Sequence, residues 1–310
     1  MLSRVAESIF WMARYMERTN RMLRMLHTKY VSSQDEINDF SWYSVLQTYS
    51  DKPEVEFKLI ETNSAKVLEH LIIDKENSSS IINNITRARE NARSVQDHIT
   101  KEVWLCLNEY YHLIREADIE KNIRFGDPIT SLDLLIRHGM LYHGTVDITM
   151  AREQSFNFLN IGRFMSRAII TIDLLTIKLK EYDYDLEKYA DDPSWRFLLY
   201  SLSGYELYNK RNRGTLDAGL VIQHVLYNTD FPHSLLYSLN RLCRYFERLK
   251  TESKPENYAQ LEFLIGRCTN NIKYSNLNNN SKLLKEFLPQ TRNELFEIAS
   301  TFNKFYFGNT

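Results

Sequence analysis

The sequence predicts an all-α fold, a multi-helix bundle of long helices. Only 9 Gly and 6 Pro occur among 310 residues, so the chain has few places to turn. Scarce turns suit long helices with few connections and do not suit a many-stranded sheet. Apolar residues also recur at helical spacing, most cleanly at Ile81, Ile85, Ala88, Ala92, Val95, Ile99, Val103 and Cys106, which share one narrow face. A further stretch, Phe156 to Leu179, is apolar in every direction, as expected of a helix enclosed by others. The length suits one large or two ordinary domains. Residues 1–310 are read as a single helical domain whose long helices cross between its halves.

Taken in order, the first helix starts at the N-cap candidate Ser3 and ends near Ser32-Ser33, before a polar loop from Gln34 to Asp39. At 100° per residue, Glu7, Arg14, Glu17, Arg18 and Arg21 fall within an arc of about 100°, and Leu2, Val5, Ile9, Met12, Met16 and Leu23 take the neighbouring arc. Phe10, Trp11, Met22 and Met25 lie within or beside the charged arc, so no side of this helix is wet. Such a helix is buried, and buried Arg and Glu must be paired or bound to something. Short helices follow at Trp42 to Tyr49, Glu54 to Thr62, where Pro53 fits the first turn, and Ala65 to Ile73. Asn77 to Ser80 is a loop ending in an N-cap. The Ile81 face predicts one helix running to about Ala117, roughly 50 Å long. Arg87, Asn91, Ser94, His98 and Glu102 border that face as a polar stripe.

Ile119 to Pro128 reads as a connection and Ile129 to Gly144 as a helix, with a break or bend between Gly144 and Met150. Within Phe156 to Leu179 the only charges before Asp173 are Arg163 and Arg167, one turn apart, with Asn160 a further turn back. Two enclosed guanidiniums cannot stay unpaired, because arginine does not deprotonate and an uncompensated buried charge costs about 3–5 kcal/mol. Their anions are expected from another helix or from a ligand. Beyond Pro193 the pattern gives a helix from Trp195 to Tyr208 and a basic loop from Asn209 to Gly214. Helices at Leu216–Tyr227, Ser234–Lys250, Glu256–Tyr274 and Leu283–Tyr306 follow, the last two separated by a loop from Asn276 to Asn280.

Several function classes find no support. A net charge of -1 and a pI near 6.7 leave no electrostatic footprint for nucleic acid. Cys106, Cys243 and Cys268 are widely separated and odd in number, which argues against a disulfide framework or a thiolate zinc site and suits a reducing cytosol. His138 and His143, five apart, are poorly placed to share a metal on one helix. No HExxH, P-loop, GxSxG or GxGxxG motif occurs, so no metal and no cofactor is expected. Charges interrupt the N-terminus and no span reaches about 18 uncharged apolar residues, so a cytoplasmic protein without a membrane anchor is expected.

Three segments echo one another: Arg14-Tyr-Met-Glu-Arg18, Arg163-Phe-Met-Ser-Arg167 and Arg244-Tyr-Phe-Glu-Arg248. Each sets two arginines four apart on one helical face, a pattern open to reading as divergent internal repeats. If the segments converge, Arg outnumbers Glu and the surplus makes an anion site.

The opening Leu2-Ser-Arg-Val-Ala-Glu-Ser-Ile-Phe-Trp-Met-Ala-Arg-Tyr-Met-Glu-Arg18 closely resembles the start of the bacterial alpha-E family, a helical domain named for its Glu-Arg motif. Ile85-Thr-Arg-Ala-Arg-Glu-Asn-Ala-Arg93, Glu102-Val-Trp104, Phe158-Leu-Asn-Ile-Gly-Arg-Phe-Met-Ser-Arg167 and Phe231-Pro-His-Ser234 resemble it too, so the likeness covers nearly the whole chain. The resemblance places the Glu-Arg motif on Glu17 and Arg18. The family's second such motif usually has Glu before Arg; this chain has Ser166 before Arg167, a departure that weighs against a shared two-carboxylate chemistry. By resemblance, the protein is expected to serve beside a circularly permuted ATP-grasp protein, with a transglutaminase-like protein as a further neighbour, in a system that ligates a carboxylate to an amine. In that role Arg14, Glu17, Arg18, Arg21, Arg87, Glu90, Asn160, Arg163 and Arg167 are the candidates to bind a carboxylate or phosphate of a small acidic ligand, since the planar guanidinium holds such groups bidentately. One alternative makes the chain an enzyme with Glu17 or Glu90 as acid-base. It is weakened because arginines beside Glu17 should make it a poor base near neutral pH. In the other, the cluster is a buried ion network that fixes helix register.

Overall fold

The computed structural model describes residues 1–35, 41–250, 255–277 and 280–308, and among these it has fifteen α-helices and no strand. In chain order the helices are α1 (Ser3–Asp35), α2 (Tyr43–Tyr49), α3 (Glu54–Ile60), α4 (Ser64–Ile72), α5 (Ile81–Ser94), α6 (Lys101–Leu113), α7 (Ala117–Phe125) and α8 (Pro128–Thr149). They continue with α9 (Gln154–Glu181), α10 (Trp195–Ser201), α11 (Tyr205–Asn212), α12 (Ala218–Tyr227), α13 (Leu235–Glu247), α14 (Pro255–Lys273) and α15 (Ser281–Phe302). The expected all-α fold is observed. Residues 36–39 of the expected first loop and residues 278–279 of the Asn276 to Asn280 loop lie outside the described residues.

The chain forms two units, residues 11–151 and residues 1–10 with 152–310. Helix α1 is continuous through residue 10, so its first two turns belong to one unit and the rest to the other.

In the unit of residues 11–151, α5 and α6 pack against each other, α8 lies against α6 and α7, and α4 against α7. The single helix expected from Ile81 to Ala117 is instead two. Val95 leaves helical geometry at φ -131°, ψ 30°, Ile99 is extended, and the Thr100 hydroxyl caps α6 by accepting the Val103 N–H at 3.3 Å. Each arm can then bury its own part of the apolar face against the other, which one rod could not do. The connection expected from Ile119 to Pro128 is largely α7, a short helix held by burial of Ile119 and Ile123, one turn apart. Helix α8 runs through Gly144 and ends at Thr149, within the interval expected for a break.

In the other unit α9 is the enclosed helix its sequence implied: from Phe156 to Leu179 only Arg163 and Thr176 are not fully buried. It packs chiefly on α13, and also on α10, α12 and α15. Gly162 permits the closest approach, because a Cβ there would lie 2.4 Å from the Phe10 carbonyl oxygen. Around that point Phe10 stacks on Phe302 at 5.3 Å, Phe307 packs on both rings, and Phe158 packs on Phe302 and Phe307. The helix expected from Trp195 to Tyr208 is broken into α10 and α11. Ser203 adopts φ 57°, and Gly204 meets the Phe231 ring so closely that a Cβ would lie 2.4 Å from it. The expected basic loop from Asn209 is instead the last turn of α11, which ends through left-handed Arg213 and Gly214.

Candidate functional site

From Val5 to Ser33 no residue of α1 is exposed, so its charged stripe is not a wet face. Within residues 11–151 that stripe has an inner and an outer part. The inner part is Glu17, fully buried, whose Oε1 accepts from Arg21 Nε at 3.1 Å. Its second oxygen lies 3.5 Å from His143 Nε2, contributed by α8. Arg24, one turn beyond Arg21, donates to Met140 Sδ at 2.9 Å. Burial lowers its pKa, and the Glu17 carboxylate opposes that shift.

The outer part consists of guanidiniums laid on aromatic rings. Arg14 lies 4.5 Å from the Trp11 ring centre, Arg18 6.0 Å from Tyr49, and Arg87, from α5, 5.9 Å from Tyr15. Trp11 and Tyr15 are themselves in contact at 5.7 Å, which joins Arg14 and Arg87 through their rings, and Arg18, one turn along α1, lies near enough to Arg14 to repel it. Arg14, Arg18, Trp11 and Tyr15 are half-buried, Tyr49 is buried and Arg87 is exposed, so the patch opens to solvent from a covered floor. Desolvation, then repulsion from Arg18, lowers the Arg14 pKa to about 10, which leaves it charged at neutral pH. Arg87 is also tethered through Nη1 to the Ser78 carbonyl at 3.1 Å.

Glu90 takes no part in this arrangement. It is exposed and pairs with Arg89 at 2.7 Å and Arg93 at 3.8 Å. Asn160, Arg163 and Arg167 belong to the other unit. Asn160 is buried and donates to the Phe156 carbonyl of its own helix at 2.8 Å. Arg167, 4 % exposed, donates through Nη1 to the Pro232 carbonyl at 3.1 Å. Thr171, one turn on, reaches the His233 carbonyl at 3.1 Å. The Phe231-Pro-His-Ser234 segment thus meets α9 with neutral carbonyls, and Ser234 then caps α13 by accepting the Tyr237 N–H at 3.1 Å. The third echo segment is on the surface, with Arg244, Glu247 and Arg248 all exposed.

His143, Arg24 and the rings of Trp11, Tyr15 and Tyr49 were not singled out as site residues by sequence. Periodicity along α1 gave the cations but not the partners that other helices bring. Among the described residues no three His, Cys, Asp or Glu side chains are grouped to hold a metal ion, and no helix is long and apolar enough to cross a membrane.

A family model named Alpha-E, described as a predicted alpha-helical domain with a conserved ER motif, matches residues 1–307. No curated protein and no solved structure matches the chain. Of the two Glu-Arg pairs in the sequence, Glu17-Arg18 is buried to half-buried and Glu247-Arg248 is exposed.

Proposed function

The chain belongs to the Alpha-E family, and from that premise we propose that it is a helical accessory protein of a circularly permuted ATP-grasp ligase, in which the patch on α1 holds a carboxylate or phosphate of the substrate or its carrier. The observation that carries this is the placing of Arg14, Arg18 and Arg87 on the rings of Trp11, Tyr49 and Tyr15 while Glu17 is committed to Arg21. Guanidiniums fixed on rings keep their charge, lose little freedom on binding, and present flat donor pairs suited to carboxylate and phosphate oxygens. Glu17 supports the patch by ordering the helix turn between Arg14 and Arg21. The reaction served is amide-bond formation from a carboxylate and an amine, in a bacterial cytoplasmic system that includes a transglutaminase-like protein.

The test is binding to the circularly permuted ATP-grasp protein of the same genome by calorimetry, with thermal unfolding against nucleotides, acidic amino acids and short acidic peptides. We expect a complex below about tens of micromolar. A ligand present at about 100 times its dissociation constant should stabilise the wild type by roughly 2.7 kcal/mol and fail to stabilise Arg18→Gln. No complex and no ligand shift would leave the patch a packing feature of α1 and overturn the proposal.

A further inference from the structure

A second arrangement, separate from the patch on α1, lies where α2, α4 and the turn after α4 meet. His70, in the last turn of α4 and 5 % exposed, is held at both ring nitrogens. Its Nδ1 is 2.8 Å from Asp74 Oδ2, and its Nε2 is 2.7 Å from Ser50 Oγ. A carboxylate on Nδ1 fixes that nitrogen as the donor, so neutral Nε2 accepts the Ser50 hydroxyl proton. Asp74 is fixed in turn, because its other oxygen accepts the Glu76 N–H at 2.9 Å. Ser50 sits just past the end of α2 in extended backbone, and its oxygen also accepts the Lys52 N–H at 3.2 Å, which leaves its proton directed at the imidazole.

The arrangement borders a space. His70 and Asp74 line a cavity of about 600 Å³, with Lys52, Ile73, Ile82 and Ile114 among its other walls. That volume falls in the range of small-molecule sites. Ser50 is half-buried and lies behind His70 and Asp74, outside the residues that line the cavity.

We propose that Ser50, His70 and Asp74 form an acyl-transfer relay acting on a small carboxylic ester. Ser50 Oγ attacks the ester carbonyl and forms the acyl C–O bond while its proton passes to His70 Nε2. The ester C–O bond then breaks and the leaving alkoxide takes that proton from His70. Water, deprotonated by His70, attacks the acyl-serine, and the proton returns to Ser50 Oγ as the acid departs. Asp74 touches no substrate in this scheme; it is a positioning residue that holds the imidazole in the required tautomer. Asp51, the residue after Ser50, has its pKa held below the usual carboxylate range by hydrogen bonds from Ser78, whose N–H donates to Asp51 Oδ2 at 2.8 Å.

The test uses the full chain and a fluorophosphonate probe, with the adduct located by peptide mass mapping, and p-nitrophenyl acetate hydrolysis alongside. We expect a single adduct on Ser50 and an acetyl-enzyme burst of one equivalent. Ser50→Ala should abolish both, and His70→Gln should slow labelling by about 10³-fold or more. Asp74→Asn should slow it strongly without a matching change in unfolding midpoint, and Asp74→Glu should restore part of the rate, which a merely structural carboxylate would not do. Absence of an adduct on Ser50 in the folded wild type, or labelling there at a rate indifferent to His70→Gln, would overturn the proposal.

Discussion

Replacing Glu17 by Gln probes the centre of α1 most directly. The carboxylate is fully buried, its partner Arg21 has only 5 % of its side chain exposed, and His143 lies 3.5 Å from the second oxygen. Glutamine keeps the shape and removes the charge, so Arg21 loses its buried counter-ion. Breaking a buried pair from one side costs about 3–5 kcal/mol, because the surviving charge stays desolvated. At roughly 2–4 °C per kcal/mol for a domain of this size, the unfolding midpoint should fall by about 6–20 °C. Urea unfolding followed by circular dichroism should show a lower midpoint at an unchanged m value. Arg21→Met provides the partner single variant. The double variant should lose less than the sum of the two, by about 0.5–3 kcal/mol. Glu90→Gln is the control: that side chain is 52 % exposed and its loss should stay within about 0.5 kcal/mol. If Glu17→Gln cost under about 1 kcal/mol, or no more than Glu90→Gln, the pair would not be holding α1 in register.

Gly162→Ala should destabilise by about 1–3 kcal/mol, since its Cβ would lie 2.4 Å from the Phe10 carbonyl oxygen; a midpoint equal to wild type would refute this close approach. The His224 imidazole, 4 % exposed and 3.0 Å from Asn228 Nδ2, has its pKa lowered from 6.5 to about 4, first by burial and then by Arg211. Because the folded form resists protonation while the unfolded chain accepts it, His224 costs nothing above pH 6.5. Stability is lost as pH falls from 6.5 to 4, on the order of 3 kcal/mol in all. Denaturant unfolding at pH 7 and pH 4.5 should therefore show a larger loss in the wild type than in His224→Gln, and equal losses would refute the assignment.

The two buried helices were legible because their apolar residues leave no polar direction. For α9 this fixed the type of element and its extent to within two residues. The run from Ile81 to Cys106 misled for the opposite reason: its apolar positions stay in phase through a turn, so periodicity alone cannot tell one rod from two arms. The local sign of the turn was Thr100 ahead of Lys101-Glu102, an N-cap followed by an acidic first turn. Ser203-Gly204 was a similar sign, and what makes glycine necessary there is the Phe231 ring, which no local pattern shows. At the site, α1 displayed its cations in sequence. That Tyr49 and Arg87 reach them, while Glu90 turns to Arg89, depends on how α2 and α5 pack.

The split of α1 between the units bears on the order in which the chain becomes structured during synthesis. Phe10 is made well before Phe302, the ring it stacks on. At about 5–20 residues per second the interval is roughly 15–60 s. Residues 11–151 have all they need for their own unit well before that and can order most of α1 as they fold. Its first two turns, with Ile9 and Phe10, must then wait with apolar surface uncovered until α9 and α15 arrive. A nascent chain stalled between these points should present that surface to chaperones, and the finished protein should not.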